Sequence, residues 1–271
     1  MHTVDFLGIG VQKGGTTWLY RQLSRHPQVA FPAGKETHFW DRGGSAGSDT
    51  WVRMLQPASR LSPDGRPVRT GEITPAYAIL ADRSIRAIHA CCPELRLFIA
   101  LRNPIERAWS AALMGLARCG MQVEEASDAW FLDFFRAASA RRRGDYAGCL
   151  ERWWSVFPRE RLLVILNEDI AGRPAAVLAS LAAHLGIDAS DFASLPDEVL
   201  AKVITPSIGV RESSPAPPLR PSLFAPLLEL HADDIARVER ALDRDFASWR
   251  EPRNARSPAG ARVSVRHDAS P

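Results

Sequence analysis

Lysine is scarce in this chain, since only three of its 34 basic residues are lysine: Lys13, Lys35 and Lys202. Cysteine is also sparse, and the four cysteines form neither a disulfide framework nor a paired C-x-x-C metal site. No apolar run approaches the roughly 18 residues of a membrane span, and the first residues lack the charged and apolar segments of a secretory signal. We therefore expect a cytoplasmic protein with reduced thiols and no membrane partner.

Basic and acidic residues are nearly equal in number, and the hydrophobic content is ordinary for a folded protein. The net charge is +3, from 34 basic and 31 acidic residues, which does not predict a nucleic-acid partner. The 46% hydrophobic and 24% charged residues are typical of a globular protein and exclude overall disorder. We expect one domain over residues 1–251 and a disordered tail over 252–271. Because arginine is so strongly preferred, the retention of Lys13 and Lys35 suggests that a compact, mobile ammonium is needed there.

Short apolar runs alternate with amphipathic segments along the chain. The runs Phe6–Val11, Arg96–Leu101 and Leu162–Leu166 predict buried strands. Helices are predicted over Thr16–Arg25, Ser84–Cys91, Pro104–Arg118, Asp128–Ala140, Tyr146–Phe157, Pro174–Leu185 and Leu223–Leu242. This alternation predicts an α/β, P-loop-like three-layer fold, in which helices flank a central parallel sheet on both faces.

The first motif lies between the first predicted strand and the first predicted helix. It consists of Lys13, Gly14, Gly15, Thr16, Thr17 and Trp18. Glycines let the backbone approach an anion, and a helix N-terminus directs N–H groups at it, so we predict a phosphate-binding loop. Because the lysine precedes the glycines, the motif is not a Walker A sequence. The alternative is a glycine turn that only packs a helix on the sheet.

A second motif follows the first helix and combines a carboxylate with an imidazole. If the segment is extended, Glu36 and His38 lie on the same side, next to the aromatic pair Phe39 and Trp40. A glutamate desolvated beside cations can serve as a general base. The alternative from these residues alone is a solvated loop that Phe39 and Trp40 anchor to the core.

A third motif follows the second predicted strand. Asn103 and Pro104 supply an N-cap and a first-turn proline, which predicts a helix start. Arg102 lies at the carboxyl end of the strand, where ligands of open α/β sheets bind. Ser110 lies two turns into the helix, where its hydroxyl can face the same anion or only decorate the surface.

Together the three motifs resemble the sulfotransferases that use 3′-phosphoadenosine 5′-phosphosulfate (PAPS), most closely the branch of heparan sulfate and bacterial carbohydrate or small-molecule enzymes. The family's K-x-G-T-T-x-L loop is matched from Lys13 to Leu19, its E-x-H-F-[FW]-D segment from Glu36 to Asp41, and its R-[ND]-P-x-x-R-x-x-S segment from Arg102 to Ser110. Further similarity lies at Gly71–Tyr77, Gly144–Tyr146, Asn167–Asp169 and Leu185–Gly186.

This resemblance implies transfer of a sulfuryl group from PAPS to a hydroxyl, less readily an amine, of a saccharide or small-molecule acceptor, leaving 3′-phosphoadenosine 5′-phosphate (PAP). It makes Glu36 the general base, assisted by His38, and Lys13 the cation that neutralises the leaving group. The loop Lys13–Trp18, with Arg102 and Ser110, would bind the nucleotide, and the scheme needs no metal.

Two departures limit the resemblance, and two other functions remain open. Some heparan enzymes have a lysine where this chain has Ile73, and the family's closing loop is not recognisable in 196–222, where Arg211 is a candidate contact. The alternatives are a P-loop small-molecule kinase, which would require magnesium, and a nucleotide-binding module without turnover.

The arginine-rich and alanine-rich composition suits a bacterial tailoring enzyme for a glycoside, lipid or secondary metabolite. Its acceptor pocket is expected from segments 43–67, 115–145 and 203–222, with Trp51, Trp130 and Trp153 either stacking on a ring or filling the core.

Overall fold

Five parallel strands form the centre of the computed structural model, which describes residues 3–43, 47–193 and 216–252. The strands are β1 Phe6–Gly10, β2 Val29–Ala30, β3 Arg69–Ile73, β4 Arg96–Leu101 and β5 Leu162–Leu166, in the spatial order β2-β3-β1-β4-β5. The helices are α1 Thr16–Leu23, α2 Ser48–Met54, α3 Asp82–Cys91, α4 Pro104–Arg118, α5 Asp128–Arg136, α6 Ala138–Gly144, α7 Tyr146–Trp154, α8 Asn167–Gly172, α9 Pro174–Leu185, α10 Ser190–Ala193 and α11 Pro221–Leu242. Short 3-10 turns occupy Pro75–Ile79, Val123–Glu125, Arg159–Arg161 and Ala247–Arg250.

Alternating side chains of the strands bury both faces of the sheet. In β4, Leu97 and Ile99 pack into a core shared with α3 and α7, whereas Phe98 and Ala100 pack on the opposite face against α1 and α9. A third core cluster joins α4, α5 and the first half of α11. Because successive side chains of a strand point to opposite faces, the near-continuous apolar runs of β1 and β4 require helices on both sides.

The predicted α/β architecture is confirmed. Strands β4 and β5 and helices α4 and α9 have the predicted bounds. The Asn103 side chain accepts a hydrogen bond from the Ile105 N–H (2.9 Å), and Gly186 ends α9 with a φ of 67°. These helices begin and end as predicted because their caps are local.

Two strands and one break were not predicted. Strand β2 has only two residues, and β3 has the polar sequence Arg-Thr-Gly-Glu-Ile, so neither shows an apolar run. The helix predicted over Asp128–Ala140 is divided at Ala137, whose ψ of 137° is extended. The predicted tail beyond residue 252 lies outside the described residues.

Candidate active site

The loop between β1 and α1 is shaped by two glycines. A Cβ at Gly14 would lie 2.2 Å from the carbonyl oxygen of Ala100 in β4, so the loop can approach the sheet this closely only with glycine. Gly15 is the N-cap of α1, with a φ of 109° and no side-chain hydrogen bond to the first turn. The positive end of α1 therefore has no side-chain cap at the position where the sequence predicts an anion.

Lys13 lies at the turn of this loop, with a φ of 71° that is uncommon for a residue other than glycine. Burial of the side chain lowers the pKa of Lys13, and the charges of Arg102 and Arg118 lower it further. The positive charges of Arg102 and Arg118 thus both act on the Lys13 ammonium. A site of this kind is suited to a ligand with several negative charges. Arg118, at the end of α4, was not predicted because no motif marks it.

Arg102 leaves the carboxyl end of β4 beside this loop. Its Nε and Nη2 atoms lie 3.3 and 3.2 Å from Oε2 of Glu106, one turn into α4, and its carbonyl oxygen accepts a hydrogen bond from the Tyr146 hydroxyl (2.9 Å). Burial raises the pKa of Tyr146, so this phenol remains a donor at neutral pH. Both ends of Arg102 are therefore positioned by partners, with the guanidinium only partly exposed.

The other residues of the predicted nucleotide site differ in exposure. Thr17 is partly exposed, Thr16 and Ser110 are 5% and 9% exposed, and the Trp18 side chain is buried in the core between α1 and the sheet. A nucleotide contact from Trp18 would therefore come from its backbone. Arg107, which belongs to the same motif as Arg102, is 1% exposed and lies in the interior rather than at the loop.

Glu36, His38 and Asp41 form a chain of side-chain contacts after β2. His38 Nε2 lies 3.3 Å from Glu36 Oε2, and His38 Nδ1 lies 2.9 Å from Asp41 Oδ2. The ammonium of Lys35 pairs with the other Glu36 oxygen. Asp41 thus orients the imidazole, and the imidazole and Lys35 orient the Glu36 carboxylate. His38 has a φ of 54°, so Lys13 and His38 share an uncommon backbone conformation.

The Glu36 loop is fixed to the end of β3. The carbonyl oxygen of Lys35 accepts a hydrogen bond from the Ile73 N–H over 2.7 Å, and the Thr37 N–H donates to the Glu72 carboxylate over 2.9 Å. Because β3 is the sheet neighbour of β1, this contact places the Glu36 loop and the Lys13 loop at the carboxyl ends of adjacent strands. The three predicted motifs therefore lie together at the carboxyl ends of the neighbouring strands β3, β1 and β4.

The tryptophans considered as stacking platforms are mostly core residues. Trp51 and Trp153 are fully buried, whereas Trp130 is partly exposed and stacks on Phe134, with the ring centroids 5.5 Å apart.

Arg211, a predicted contact of the closing loop, lies outside the described residues. Within the described ranges, no group of three His, Cys, Asp or Glu side chains could hold a metal ion, and no helix is long and apolar enough to cross a membrane.

Comparison with known proteins identifies the family. The model of the sulfotransferase domain matches residues 4–208. The chain belongs to the sulfotransferase family. Human heparan sulfate glucosamine 3-O-sulfotransferase 6 is 33% identical over 190 residues, which cover 66% of this chain and 51% of the human protein. This sulfotransferase chain therefore spans about half the length of the curated relatives that it matches.

Solved sulfotransferases share the fold. A sulfotransferase from Alicyclobacillus acidocaldarius superimposes with a TM-score of 0.66 and 25% identity, covering 93% of this chain and 100% of that protein. The mouse sulfotransferase SULT7A1, solved with PAP, gives a TM-score of 0.53 at 15% identity and covers 89% of each chain. These matches confirm the predicted parallel sheet with flanking helices, and the match of residues 4–208 confirms the predicted family.

Proposed function

We propose that this chain transfers a sulfuryl group from PAPS to a hydroxyl of a carbohydrate, glycoside or other small molecule, with Glu36 as the general base. One observation carries the proposal: Glu36, His38 and Asp41 lie at the carboxyl ends of the strands, as does the loop from Lys13 to Gly15. Binding of a nucleotide alone does not require an oriented carboxylate and imidazole. The human relative named as a 3-O-sulfotransferase supports a sugar hydroxyl as the acceptor class.

The residues at the carboxyl ends of these strands suit a strongly anionic donor. PAPS would bring a phosphosulfate to the uncapped N-terminus of α1 and to Lys13, and a 3′-phosphate to Arg102 and Ser110. Lys13 would neutralise the charge that develops on the bridging oxygen as the sulfur–oxygen bond breaks. Sulfuryl transfer resembles phosphoryl transfer through a loose transition state, so positioning and charge stabilisation supply most of the catalysis.

Glu36 would accept the acceptor's proton as the hydroxyl oxygen bonds to sulfur. Glu36 Oε2 faces His38, and Asp41 holds the far side of that ring, so the array can keep one carboxylate oxygen directed at an acceptor. His38 would orient Glu36 or contact the acceptor directly. Lys35 now pairs with Oε1 and must release that oxygen if it is the one that takes the proton.

Calorimetric titration with PAP, ATP and 5′-AMP, without added metal, tests the donor site. We expect PAP to bind at least tenfold more tightly than 5′-AMP, because the 3′-phosphate adds a charge-assisted contact. A preference for ATP that requires magnesium would instead indicate a kinase. Absence of PAP binding would overturn the proposed donor.

Transfer of ³⁵S from PAPS to a panel of heparan oligosaccharides, simple glycosides and phenols tests the reaction. We expect Glu36→Gln to lower turnover by at least two orders of magnitude while PAP affinity stays within twofold, as loss of a general base requires. Glu124→Gln, at an exposed glutamate of the 3-10 turn Val123–Glu125, is the matched control and should be fully active. Full activity of Glu36→Gln would refute the assigned base, and PAP binding without transfer to any acceptor would favour a non-catalytic module.

A further inference from the structure

Glu72 is a completely buried carboxylate in β3 that no motif assigned to the reaction. Burying a carboxylate is costly unless hydrogen bonds replace its water shell. Its donors are Trp51 Nε1 (2.6 Å), the Thr74 hydroxyl (2.6 Å), the Tyr77 hydroxyl (3.0 Å), the Thr37 hydroxyl (2.8 Å) and the Thr37 N–H (2.9 Å). Glu72 is therefore the centre of a satisfied polar network in the apolar interior.

Thr37 connects this network to the proposed base. It lies between Glu36 and His38 in the chain, and both its hydroxyl and its N–H are bound by the Glu72 carboxylate. The same hydroxyl accepts a hydrogen bond from the Phe39 N–H over 3.2 Å, which supports the turn in which His38 has its positive φ. Two anchors on one residue fix the segment from which Glu36 and His38 both project.

The network also reaches the helix on the other side of the loop. Trp51 belongs to α2, and its ring packs edge-on against Trp40 with the centroids 5.5 Å apart. Tyr77, in the 3-10 turn after β3, is held between Glu72 and the Thr37 hydroxyl (3.2 Å). Burial and the charge of Glu72 raise the pKa of Tyr77, which keeps the phenol a donor to Glu72.

We infer that Glu72 is a positioning residue for sulfuryl transfer: through Thr37 it holds Glu36 and His38 in the geometry of the reaction. The inference rests on the proposed function, since it concerns the residues that flank Thr37. Glu72 itself is completely buried among its hydrogen-bond donors, so its proposed effect on the reaction is exerted through Thr37. A loop that carries a base needs such support because small displacements of a catalytic group cost large factors in rate.

The matched variants Thr37→Val and Thr37→Ser test this role at a partly exposed site, where the fold should be retained. Valine keeps the shape of threonine but removes the hydroxyl, whereas serine keeps the hydroxyl. We expect Thr37→Val to lower the turnover number for ³⁵S transfer from PAPS at least tenfold with PAP affinity within twofold. Thr37→Ser should stay within threefold of the unaltered protein. Glu72→Gln should match or exceed the Thr37→Val defect where it folds.

A measurement on His38 makes the test independent of the acceptor. The ring ¹H–¹⁵N signals of His38, assigned by their loss in His38→Gln, should shift in Thr37→Val and remain in Thr37→Ser. Unchanged His38 signals in Thr37→Val, or unchanged turnover, would overturn the role of Glu72. A parallel loss of PAP affinity and turnover would also overturn it, because that pattern indicates a general structural role.

Failure of this inference and of the proposed function can be distinguished. If Glu36→Gln is inactive and Thr37→Val is fully active, Glu36 remains the base and only the role of Glu72 is refuted. If Glu36→Gln is fully active, the assignment of the base fails instead. In that case, the His38 signals alone decide whether Glu72 positions the loop.

Discussion

The side-chain amide of Asn167 donates a hydrogen bond to the carbonyl oxygen of Gly14 over 3.1 Å. Asn167 begins α8 directly after β5, two strands away from the strand that leads into the glycine loop. A Cβ at Gly15 would lie 2.9 Å from the same amide nitrogen. The loop is thus fixed on one side by the close approach of Gly14 to β4 and on the other by Asn167.

Replacing Asn167 by alanine should weaken PAP binding about fivefold. Loss of one hydrogen bond contributes about 1 kcal/mol, and here the bond stabilises the backbone that would surround the phosphosulfate. Titration calorimetry with PAP measures the effect. The control is Asp169→Asn, also in α8, which alters the ion pairs of Asp169 with Arg173 and Arg244. Unchanged affinity in Asn167→Ala would mean that the glycine loop keeps its shape without this contact.

Arg102→Ala should remove the preference for a 3′-phosphate. Arg102 is the guanidinium at the end of β4 that Glu106 orients, and charge-assisted hydrogen bonds to phosphate are strong. We expect PAP affinity to fall at least tenfold while 5′-AMP affinity changes less than twofold. Arg86→Ala, at an exposed arginine of α3, should change neither affinity. Equal losses for PAP and 5′-AMP would place Arg102 at the 5′ end of the nucleotide instead.

PAP affinity should fall as the solution becomes alkaline. Burial and the neighbouring cations Arg102 and Arg118 lower the pKa of Lys13 below 10.5, so its ammonium is lost earlier than that of an ordinary lysine. Above that lowered pKa, affinity should decrease by up to tenfold per pH unit, because binding then requires uptake of a proton. Lys13→Arg, whose guanidinium keeps its charge, should bind PAP with little pH dependence up to pH 10.

The stability effect of Lys13 has the opposite direction. Between the lowered pKa and 10.5 the unfolded chain holds more protons than the folded one, so the contribution of Lys13 to the free energy of unfolding rises with pH.

The affinity prediction is tested by titrations with PAP from pH 7 to 10. A PAP affinity that is independent of pH would contradict the lowered pKa of Lys13.

Local signals predicted much of the fold, and they mark the motifs of the candidate site. Strands β4 and β5 are apolar runs, and α4 carries its own cap at Asn103, so neighbouring residues determine these elements. Strand β3 was not predicted because Glu72 is buried through donors from distant segments, which a sequence pattern does not show.

The sequence predicts the motifs of the candidate site but not all of the residues that contact them. The side chains of Glu36 and His38 lie together, but through a turn in which His38 has a φ of 54° rather than through the extended segment expected from their spacing. The contact of His38 with Asp41 was not predicted. The hydrogen bond from Asn167 to Gly14 and the effect of the Arg118 charge on Lys13 depend on how the segments after β5 and β4 are placed relative to the loop, so neither can be derived from spacing. Trp51 was an open choice between stacking and core, and its hydrogen bond to Glu72 decides it.

The pKa values of His231 and Asp234, both on α11, are shifted in opposite directions, so the two groups affect stability in acid oppositely. Burial, reinforced by Arg107 and Arg141, lowers the pKa of His231 from 6.5 to about 3. Burial raises the pKa of Asp234 from 3.8 to about 6, although its carboxylate accepts hydrogen bonds from the N–H groups of Tyr146 and Ala147, each at 3.2 Å. Between pH 6.5 and 3 the unfolded chain binds the extra proton at His231, whereas between pH 6 and 3.8 the folded chain binds it at Asp234.

The two contributions should therefore largely cancel between pH 4 and 6, and single variants should reveal them. His231→Gln should make the protein more stable in acid relative to pH 7, and Asp234→Asn should make it less stable, each by at most about 1.4 kcal/mol per pH unit. Thermal unfolding of both variants from pH 4 to 7.5 measures the difference, with Asp233→Asn as the exposed neighbouring control. Parallel pH profiles for His231→Gln and Asp234→Asn would contradict the opposite pKa shifts. Opposite effects on the free energy of unfolding arise only if one group takes up its proton in the unfolded chain and the other in the folded chain.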